Sequence, residues 1–386
     1  MFIAAAILTL LGLSFAMTAI DDPDDPDEPK DLDENLDLQL GDLLDEPSAS
    51  NSVPELPENP EPKLADFVTD DHTVVEVTVE KYGTTSPGHG NNPTPDLTRD
   101  GQYVLNIGED INSLSVYGGQ NIINDSDTGT MLSGNSFEGA VIFGNGGDDH
   151  IVGSSMGGAN VLVGGDGDDF IRSYYTVGEF YEGYETPDGN GLLELDQETG
   201  PAADAIYGGD GDDQIIRNAD PSEIDGAEVV TIDAGDGDDV IMISDTGALL
   251  TLGDGEDTTV LMATSEGIEN VTIFTDFDPD QDRVVLSVIN DQIFAPDNYF
   301  DDEPTSIEVS YTLTQVQTDL GAGTMVSPDT SGDPTVSALE GTTSSHAILL
   351  GVTPDQLSDE NIDVYAIMTG SPEWQFATSG PNLAGI

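Results

Sequence analysis

GNGGDDHI at 144–151, GGDGDDFI at 164–171, GGDGDDQI at 208–215 and AGDGDDVI at 234–241 are copies of one pattern, and LGDGEDTT at 252–259 is a degenerate fifth copy. Glycine recurs at positions 1, 2 and 4, Asp stands at position 6, and a large apolar residue follows at position 8. Glycine tolerates positive φ and close backbone approach, so six such residues turn sharply with carbonyl groups facing inward. The alternating residues that follow predict a short strand with its apolar side chain in a core. Each copy therefore predicts one turn and one strand.

A nine-residue spacing continues between these copies. At this spacing, an apolar residue stands two positions after each place where a position-6 Asp would be expected. These weaker units are Asn112 with Leu114, Asn121 with Ile123, Ala140 with Ile142, Asn160 with Leu162, Asp204 with Ile206, Val230 with Ile232 and Ala248 with Leu250. The last five stand nine residues before a strong copy, so strong and weak turns are predicted to alternate between two edges. One edge is expected to carry a column of carboxylates, from Asp149, Asp169, Asp213, Asp239 and Asp257, and the opposite edge to be held mainly by packing.

The copies match the pattern GGxGxDxUx, where U is a large apolar residue, and residues 105–275 resemble the RTX family of hemolysin-type calcium-binding repeats. The resemblance implies an all-β fold, a right-handed parallel β-roll with a β-rich C-terminal cap. It also implies that Ca²⁺ lies between neighbouring turns of a column, bound by backbone carbonyls and the position-6 Asp, with up to about four ions for five turns. The metal-site residues carried over by this resemblance are Gly144, Gly147, Asp149, Gly165, Gly167, Asp169, Gly209, Gly211, Asp213, Gly235, Gly237, Asp239, Gly255 and Asp257.

The charge balance limits the partners of the folded part. The 386 residues include 77 Asp and Glu against 7 Lys and Arg, for a formal net charge of −70. This charge excludes nucleic acid and anionic lipid as partners of the folded part, and its self-repulsion favours high salt or bound cations. The chain has no Cys, which excludes disulfides, thiolate zinc sites and thiol nucleophiles.

Outside the array, composition divides the chain further. The predicted segments are 1–20, an apolar membrane anchor or cleaved signal; 21–65, an acidic, Pro-rich, disordered linker; 66–104, a short β segment; 105–275, the roll, with an insertion at 173–203; and 276–386, a β-rich cap. The aromatic residues of the insertion could bind a glycan or a protein partner, or cover the roll. A surface glycan or protein partner therefore stays unidentified.

Candidate catalytic motifs fail on inspection. His72, His89, His150 and His346 are scattered and form no HExxH motif. GSSMG at 153–157 matches a nucleophile elbow, but it lies between two repeat turns rather than between a strand and a helix. The acidic residues from Asp276 to Asp282 resemble the start of an EF-hand, yet Gln281 and Ser287 occupy its required Gly and Glu positions.

We therefore expect a protein that is not an enzyme. The expected function is that of a calcium-binding structural or adhesion-type protein, extracellular or on the cell surface and anchored in the membrane if residues 2–20 are retained, whose repeat folds on calcium. The alternative is a secreted RTX-type effector or hydrolase with an unrecognised catalytic site.

Overall fold

The computed structural model describes residues 61–78, 97, 101–117, 120–135, 139–154, 158–174, 204–218, 230–244, 246–262, 269–290, 310–329 and 343–368. The predicted anchor or signal segment, most of the acidic linker, most of the 173–203 insertion, His89 and the C-terminal residues 369–386 lie outside this part of the chain. Among the described residues, no helix has the length and apolar character needed to cross a bilayer.

The chain runs back and forth between two rows of parallel strands. The even row consists of β1 (Thr73–Val77), β2 (Gln102–Ile107), β4 (Gln120–Asn124), β6 (Val141–Gly146), β8 (Val161–Asp166), β10 (Ala205–Asp210), β12 (Val230–Asp236), β14 (Ala248–Asp254) and β16 (Glu269–Phe274). The odd row consists of β3 (Ser113–Tyr117), β5 (Met131–Asn135), β7 (His150–Val152), β9 (Phe170–Tyr174), β11 (Gln214–Asn218), β13 (Val240–Ser244), β15 (Thr258–Met262), β17 (Arg283–Asn290) and β21 (Ile362–Met368).

From β2 to β17, each strand pairs in parallel with the strand two places further along the chain. In the even row, for example, Ile142 lies opposite Leu162 and Leu162 opposite Ile206. In the odd row, Ile171 lies opposite Ile215. One coil therefore contains two strands and two turns, and the expected all-β parallel roll is present.

The space between the two rows is filled by the apolar residues that the nine-residue spacing marks. The residue at position 8 of each of the four strong copies is fully buried, as are the seven apolar residues of the weaker units; they are Ile151, Ile171, Ile215, Ile241, Leu114, Ile123, Ile142, Leu162, Ile206, Ile232 and Leu250. In the degenerate fifth copy this place is taken by Thr259, which is also fully buried. The core is thus a double stack of mainly Ile and Leu side chains along the roll.

Insertions leave the register of the coils unchanged. Residue 204 follows 160 by 44 positions, whereas the basic coil takes 18, yet Ala205 pairs with Val161 directly beside β8. The 173–203 insertion therefore enters and leaves the roll between neighbouring coils. Residues 219–229 are a second interruption, because Ile206 lies opposite Ile232 across it.

The C-terminal part adds three more strands, β18 (Ser310–Thr318), β19 (Gly321–Asp329) and β20 (Thr343–Leu350). β18 and β19 form an antiparallel hairpin, β19 pairs with β20, and β20 continues the even row beside β16. A short 3₁₀ helix spans Pro354–Gln356.

Before the roll, a short helix, α1 (Leu64–Phe67), packs on the outer face of the even row. The Phe67 ring meets Phe143 edge-on, with centroids 5.8 Å apart. Leu64 and Ala65, the last two residues of the predicted linker segment, belong to this helix.

Candidate metal centre

The predicted site residues lie in five stacked turns, each connecting an even strand to the following odd strand. We name the five position-6 residues of these turns the Asp column: Asp149, Asp169, Asp213, Asp239 and Asp257. Each is aligned with the next through the backbone, since the residue after it donates its N–H to the carbonyl of the equivalent Asp one coil earlier. For example, Phe170 donates to Asp149 O and Gln214 to Asp169 O, both at 2.8 Å. The predicted column is therefore a continuous stack.

Glycine is required at positions 2 and 4 for conformation and for space. In the third turn, Gly209 and Gly211 have φ of 122° and 139°, a region that L side chains rarely adopt. A Cβ on Gly211 would also overlap the carbonyl oxygen of Gly167, its equivalent in the previous coil. The exception to the glycine rule is Asn145 at position 2 of the first turn, with φ of 68°. Asn is among the non-glycine residues that tolerate this conformation best.

One oxygen of each column carboxylate is used to hold the coils together. Asp169 Oδ1 accepts the backbone N–H of Asp149 at 2.7 Å, and Asp213 Oδ1 accepts that of Asp169 at 2.7 Å. The same bond is repeated by Asp239 and by Asp257, at 2.8 and 2.9 Å. Column carboxylates therefore order the turns even before any ligand is considered.

The second oxygen, Oδ2, is buried and has no hydrogen-bond partner in any of the five column residues. These residues are between 1% and 3% exposed, so bulk solvent does not reach these oxygens. In the first three turns Oδ2 faces the glycine at position 1 of its own turn: a Cβ on Gly164 would overlap both Asp169 Oδ2 and the carbonyl oxygen of Gly208. Gly144 and Gly208 make the same approach to Asp149 and Asp213. A carboxylate oxygen and a carbonyl oxygen thus converge beside each of these glycines. In the fourth and fifth turns position 1 is Ala234 and Leu252.

Burial makes the charged form of these carboxylates costly. Desolvation, reinforced by the charges of neighbouring Asp residues, raises the pKa of Asp169 to about 6, of Asp213 and Asp257 to about 7, and of Asp149 and Asp239 to about 8. Backbone N–H donors to Oδ1 act in the opposite direction but do not compensate. At neutral pH the column therefore favours uptake of protons or of another cation.

The column ends at Asp282, a residue that the repeat pattern does not mark. It is 3% exposed and follows Asp257 one coil later, since Arg283 pairs with Thr258. Asp282 Oδ1 accepts from Asp257 N at 3.2 Å and Oδ2 from Asp278 N at 2.7 Å. Both of its oxygens are thus satisfied by the backbone. The segment 276–282, which resembles an EF-hand start, is a turn between β16 and β17.

The opposite edge, which is expected to be held mainly by packing, also contains buried polar side chains. A buried polar cluster occupies it, made of Asn160, Ser173, Asp204 and Arg217. Arg217 Nε lies 3.0 Å from Asp204 Oδ2, and the Ser173 hydroxyl donates to the same oxygen at 2.6 Å. Asp204 Oδ1 accepts from Asn160 N at 2.7 Å. The buried carboxylate of this edge has a protein cation as its partner, in contrast to the five of the Asp column.

The first weaker unit lies on the same edge as the strong copies. Asn112 lies on the edge of the Asp column, because β3 pairs with β5 and β5 with β7. Its equivalent in the next coil is Thr130, which the apolar pattern would mark through Leu132.

A second line of acidic residues, at position 5 of the turns, is exposed to solvent. Asp168, Asp212 and Asp238 each donate their N–H to the Oδ1 of the position-5 Asp one coil earlier, at 2.9 to 3.2 Å. This ladder runs parallel to the buried one. It supplies a matched surface counterpart to each buried carboxylate.

Side chains alone do not complete a metal site here. Within the described ranges, no three Asp, Glu or His side chains are grouped closely enough to hold an ion. A cation in the column would need backbone carbonyl oxygens as additional ligands. The unpartnered Oδ2 atoms and the carbonyl oxygens that converge beside Gly144, Gly164 and Gly208 are hard oxygen ligands of the kind that Ca²⁺ prefers. The residues present therefore fit calcium.

Sequence reasoning misses several residues of this arrangement. Gly164 and Gly208 leave the space beside Oδ2, Asn145 takes the glycine-like conformation, Gly253 has φ of 97° in the fifth turn, and Asp282 ends the column. Comparisons of the chain with protein-family models, with curated proteins and with solved structures find no match. The functional argument therefore depends on the geometry of the site.

Proposed function

We propose that this chain is a calcium-binding protein of the RTX type, whose parallel roll folds when Ca²⁺ neutralises the Asp column. The observation that carries the proposal is the row of five buried Oδ2 atoms without partners. A buried carboxylate without a counter-charge or a donor costs several kcal/mol in a folded protein. A divalent cation between neighbouring turns would remove this cost and the repulsion along the column together.

Calcium is favoured over other cations by the chemistry of the donors. Carboxylate and carbonyl oxygens are hard ligands, and their turns bring oxygen atoms from successive coils to one place. Mg²⁺ demands a smaller and nearly octahedral site and keeps several of its waters. Zn, Cu, Fe and Ni ions prefer imidazole or thiolate ligands, and the chain has no Cys. We therefore propose Ca²⁺ as the ion that fills the column.

The opposite edge supports the same interpretation by contrast. Asp204 is as deeply buried as Asp213, at 2% and 1% exposure. The Arg217 guanidinium neutralises its charge, so this carboxylate needs no cation from the solvent. Among the described residues, no Lys or Arg side chain neutralises the five carboxylates of the Asp column. This difference is what a site for an external ion would require.

We propose further that the protein works at the cell exterior, as a structural or adhesion-type component. Modules that fold on calcium at 10⁻⁴ to 10⁻³ M belong to calcium-rich surroundings outside the cell. A net charge of −70 opposes compaction and lowers the stability of the ion-free fold, so that folding would become complete on arrival in such surroundings. The role proposed for the roll is that of a rigid spacer or support formed on exposure to calcium.

A calcium titration of the chelated full chain tests this proposal. Circular dichroism should report a gain of β signal with calcium, and Mg²⁺ at the same concentration should produce much less. Calorimetry should detect several ions per chain. A chain with the same β signal in excess EDTA as in calcium, or one that binds no calcium, would contradict the proposal.

A further inference from the structure

A buried carboxylate that the repeat pattern does not provide lies at the N-terminal end of the Asp column. Asp125 is 5% exposed, and neither of its carboxylate oxygens makes a hydrogen bond of regular geometry. Desolvation raises its pKa to about 6 and outweighs the Thr130 hydroxyl and the Ser126 N–H, which stand near enough to lower that pKa. The nearby Thr130 hydroxyl donates instead to Thr128 O at 2.8 Å. Asp125 therefore shares the features of the column carboxylates, although it stands in the turn DSDTGT, which has no Asp at position 6.

Strand register places this turn directly before the first strong turn. Asn124 pairs with Phe143, and His150 N donates to Thr130 O at 2.9 Å. Residues 125–130 therefore align with residues 144–149. Asp125 falls at position 1, the place of Gly144, and Thr130 falls at position 6, the place of Asp149. In this turn the carboxylate therefore stands at position 1, whereas the repeat places it at position 6.

The geometry of the next turn explains how a position-1 carboxylate reaches the column. A Cβ on Gly144 would overlap Asp149 Oδ2, so a side chain at position 1 points to the place where the position-6 carboxylate lies. In the turn 125–130, position 6 is Thr130, whose side chain is shorter than that of Asp and carries no carboxylate, which leaves that place to Asp125. Thr130 N meanwhile keeps the column's backbone bond, donating to Asp149 Oδ1 at 2.6 Å.

We infer that Asp125 is a ligand of one additional cation, bound with Asp149 between the turns 125–130 and 144–149. This inference builds on the proposed function, and it names a ligand that the repeat pattern does not mark. Four ions are expected between the five turns of the Asp column, and Asp125 adds a fifth at the N-terminal end. Two carboxylates, Asp125 and Asp149, face this terminal ion.

The test compares Asp125→Asn with Asp127→Asn in the full chain. Asp127 lies two residues away in the same turn and is exposed, so its variant removes the same charge without changing the buried site. Calcium is counted by equilibrium dialysis at saturation, after circular dichroism has shown that each variant is folded. We expect about five ions per chain for the wild type and for Asp127→Asn, and one fewer for Asp125→Asn.

An unchanged ion count in folded Asp125→Asn would overturn the inference, as would an equal loss in Asp127→Asn. If Asp125→Asn does not fold, Asp125→Ser is the second variant, since Ser is smaller and needs fewer buried partners; the same two outcomes apply to it. The wild-type control separates the two hypotheses. A wild-type chain that binds no calcium contradicts the proposed function, whereas a calcium-binding wild type matched by Asp125→Asn contradicts only the terminal site.

Discussion

Asp213→Asn should move the stability of the chain in opposite directions with and without calcium. The Asn oxygen can still accept the backbone N–H of Asp169, which now bonds Asp213 Oδ1 at 2.7 Å. The change removes the negative charge and replaces the unpartnered Oδ2 with an amide group. Asp212→Asn is the matched control, because Asp212 is the exposed neighbour and loses the same charge.

The size of the effect without calcium follows from the burial of Asp213. Desolvation and the neighbouring Asp169 and Asp168 carboxylates raise its pKa from 3.8 to about 7. Each pKa unit corresponds to about 1.4 kcal/mol, so keeping this group charged at pH 8 costs the ion-free fold up to about 4 kcal/mol. The buried amide of Asn is itself only partly hydrogen-bonded, and this offsets part of the free energy gained by removing the charge. We expect Asp213→Asn to stabilise the ion-free roll by about 1 to 3 kcal/mol.

In calcium-saturated buffer we expect Asp213→Asn to destabilise the roll. Asp213 faces the turns before and after its own, so the substitution removes a charged ligand from the ions proposed on both sides. We expect one or two fewer ions per chain and a calcium midpoint of folding about tenfold higher. The assay is urea unfolding followed by circular dichroism at pH 8, in calcium-depleted and in calcium-saturated buffer, for the wild type and both variants. Equal destabilisation of Asp213→Asn in both buffers would refute the reasoning, since it would make Asp213 an ordinary structural residue. Asp212→Asn should change little in either buffer.

Three further predictions address the rest of the roll. Asp204→Asn leaves Arg217 buried without its counter-charge and should cost about 3 to 5 kcal/mol with or without calcium; urea midpoints that fall only in calcium would refute a purely structural role. Gly211→Ala places a Cβ on a residue with φ of 139° and against Gly167 O. Urea unfolding should therefore show a free energy of unfolding lower by at least about 2 kcal/mol in both buffers. An unchanged midpoint would show that the turn tolerates a side chain. In calcium-depleted buffer, stability should fall as pH rises from 5 to 8, because the column pKa values of about 6 to 8 lie above the unfolded value of 3.8 and the folded chain therefore holds more protons; a urea midpoint that rises with pH would contradict this sign.

The coil architecture could be predicted from the sequence because three local requirements coincide in each strong copy. Positive φ at positions 2 and 4 demands glycine, the coil stacking demands a small residue, and the core demands an apolar side chain at position 8. The nine-residue spacing then places residues such as Ile151 and Leu162 in one core. The same spacing correctly separates Asp149 and Ala140 onto opposite edges.

The missed features depend on contacts between distant residues or on exchanged roles. Arg217 meets Asp204 across 13 residues, and nothing in the local pattern of either residue marks that pair. Asp282 lies 25 residues after Asp257, in a turn that lacks the repeat pattern, so the 18-residue spacing of the basic coil does not predict it. Asp125 escapes the repeat because its carboxylate stands at position 1 rather than 6. Helix α1 has only four residues, too few for a helical period to appear.

Crystallographic anomalous scattering from the calcium-loaded full chain tests the central claim most directly. The account predicts ions along the edge of the Asp column, each about 2.3 to 2.6 Å from the Oδ2 atom of residues such as Asp169 and Asp213, and none beside Asp204. Ions confined to the exposed position-5 carboxylates, or a calcium-saturated roll with an empty column, would contradict it.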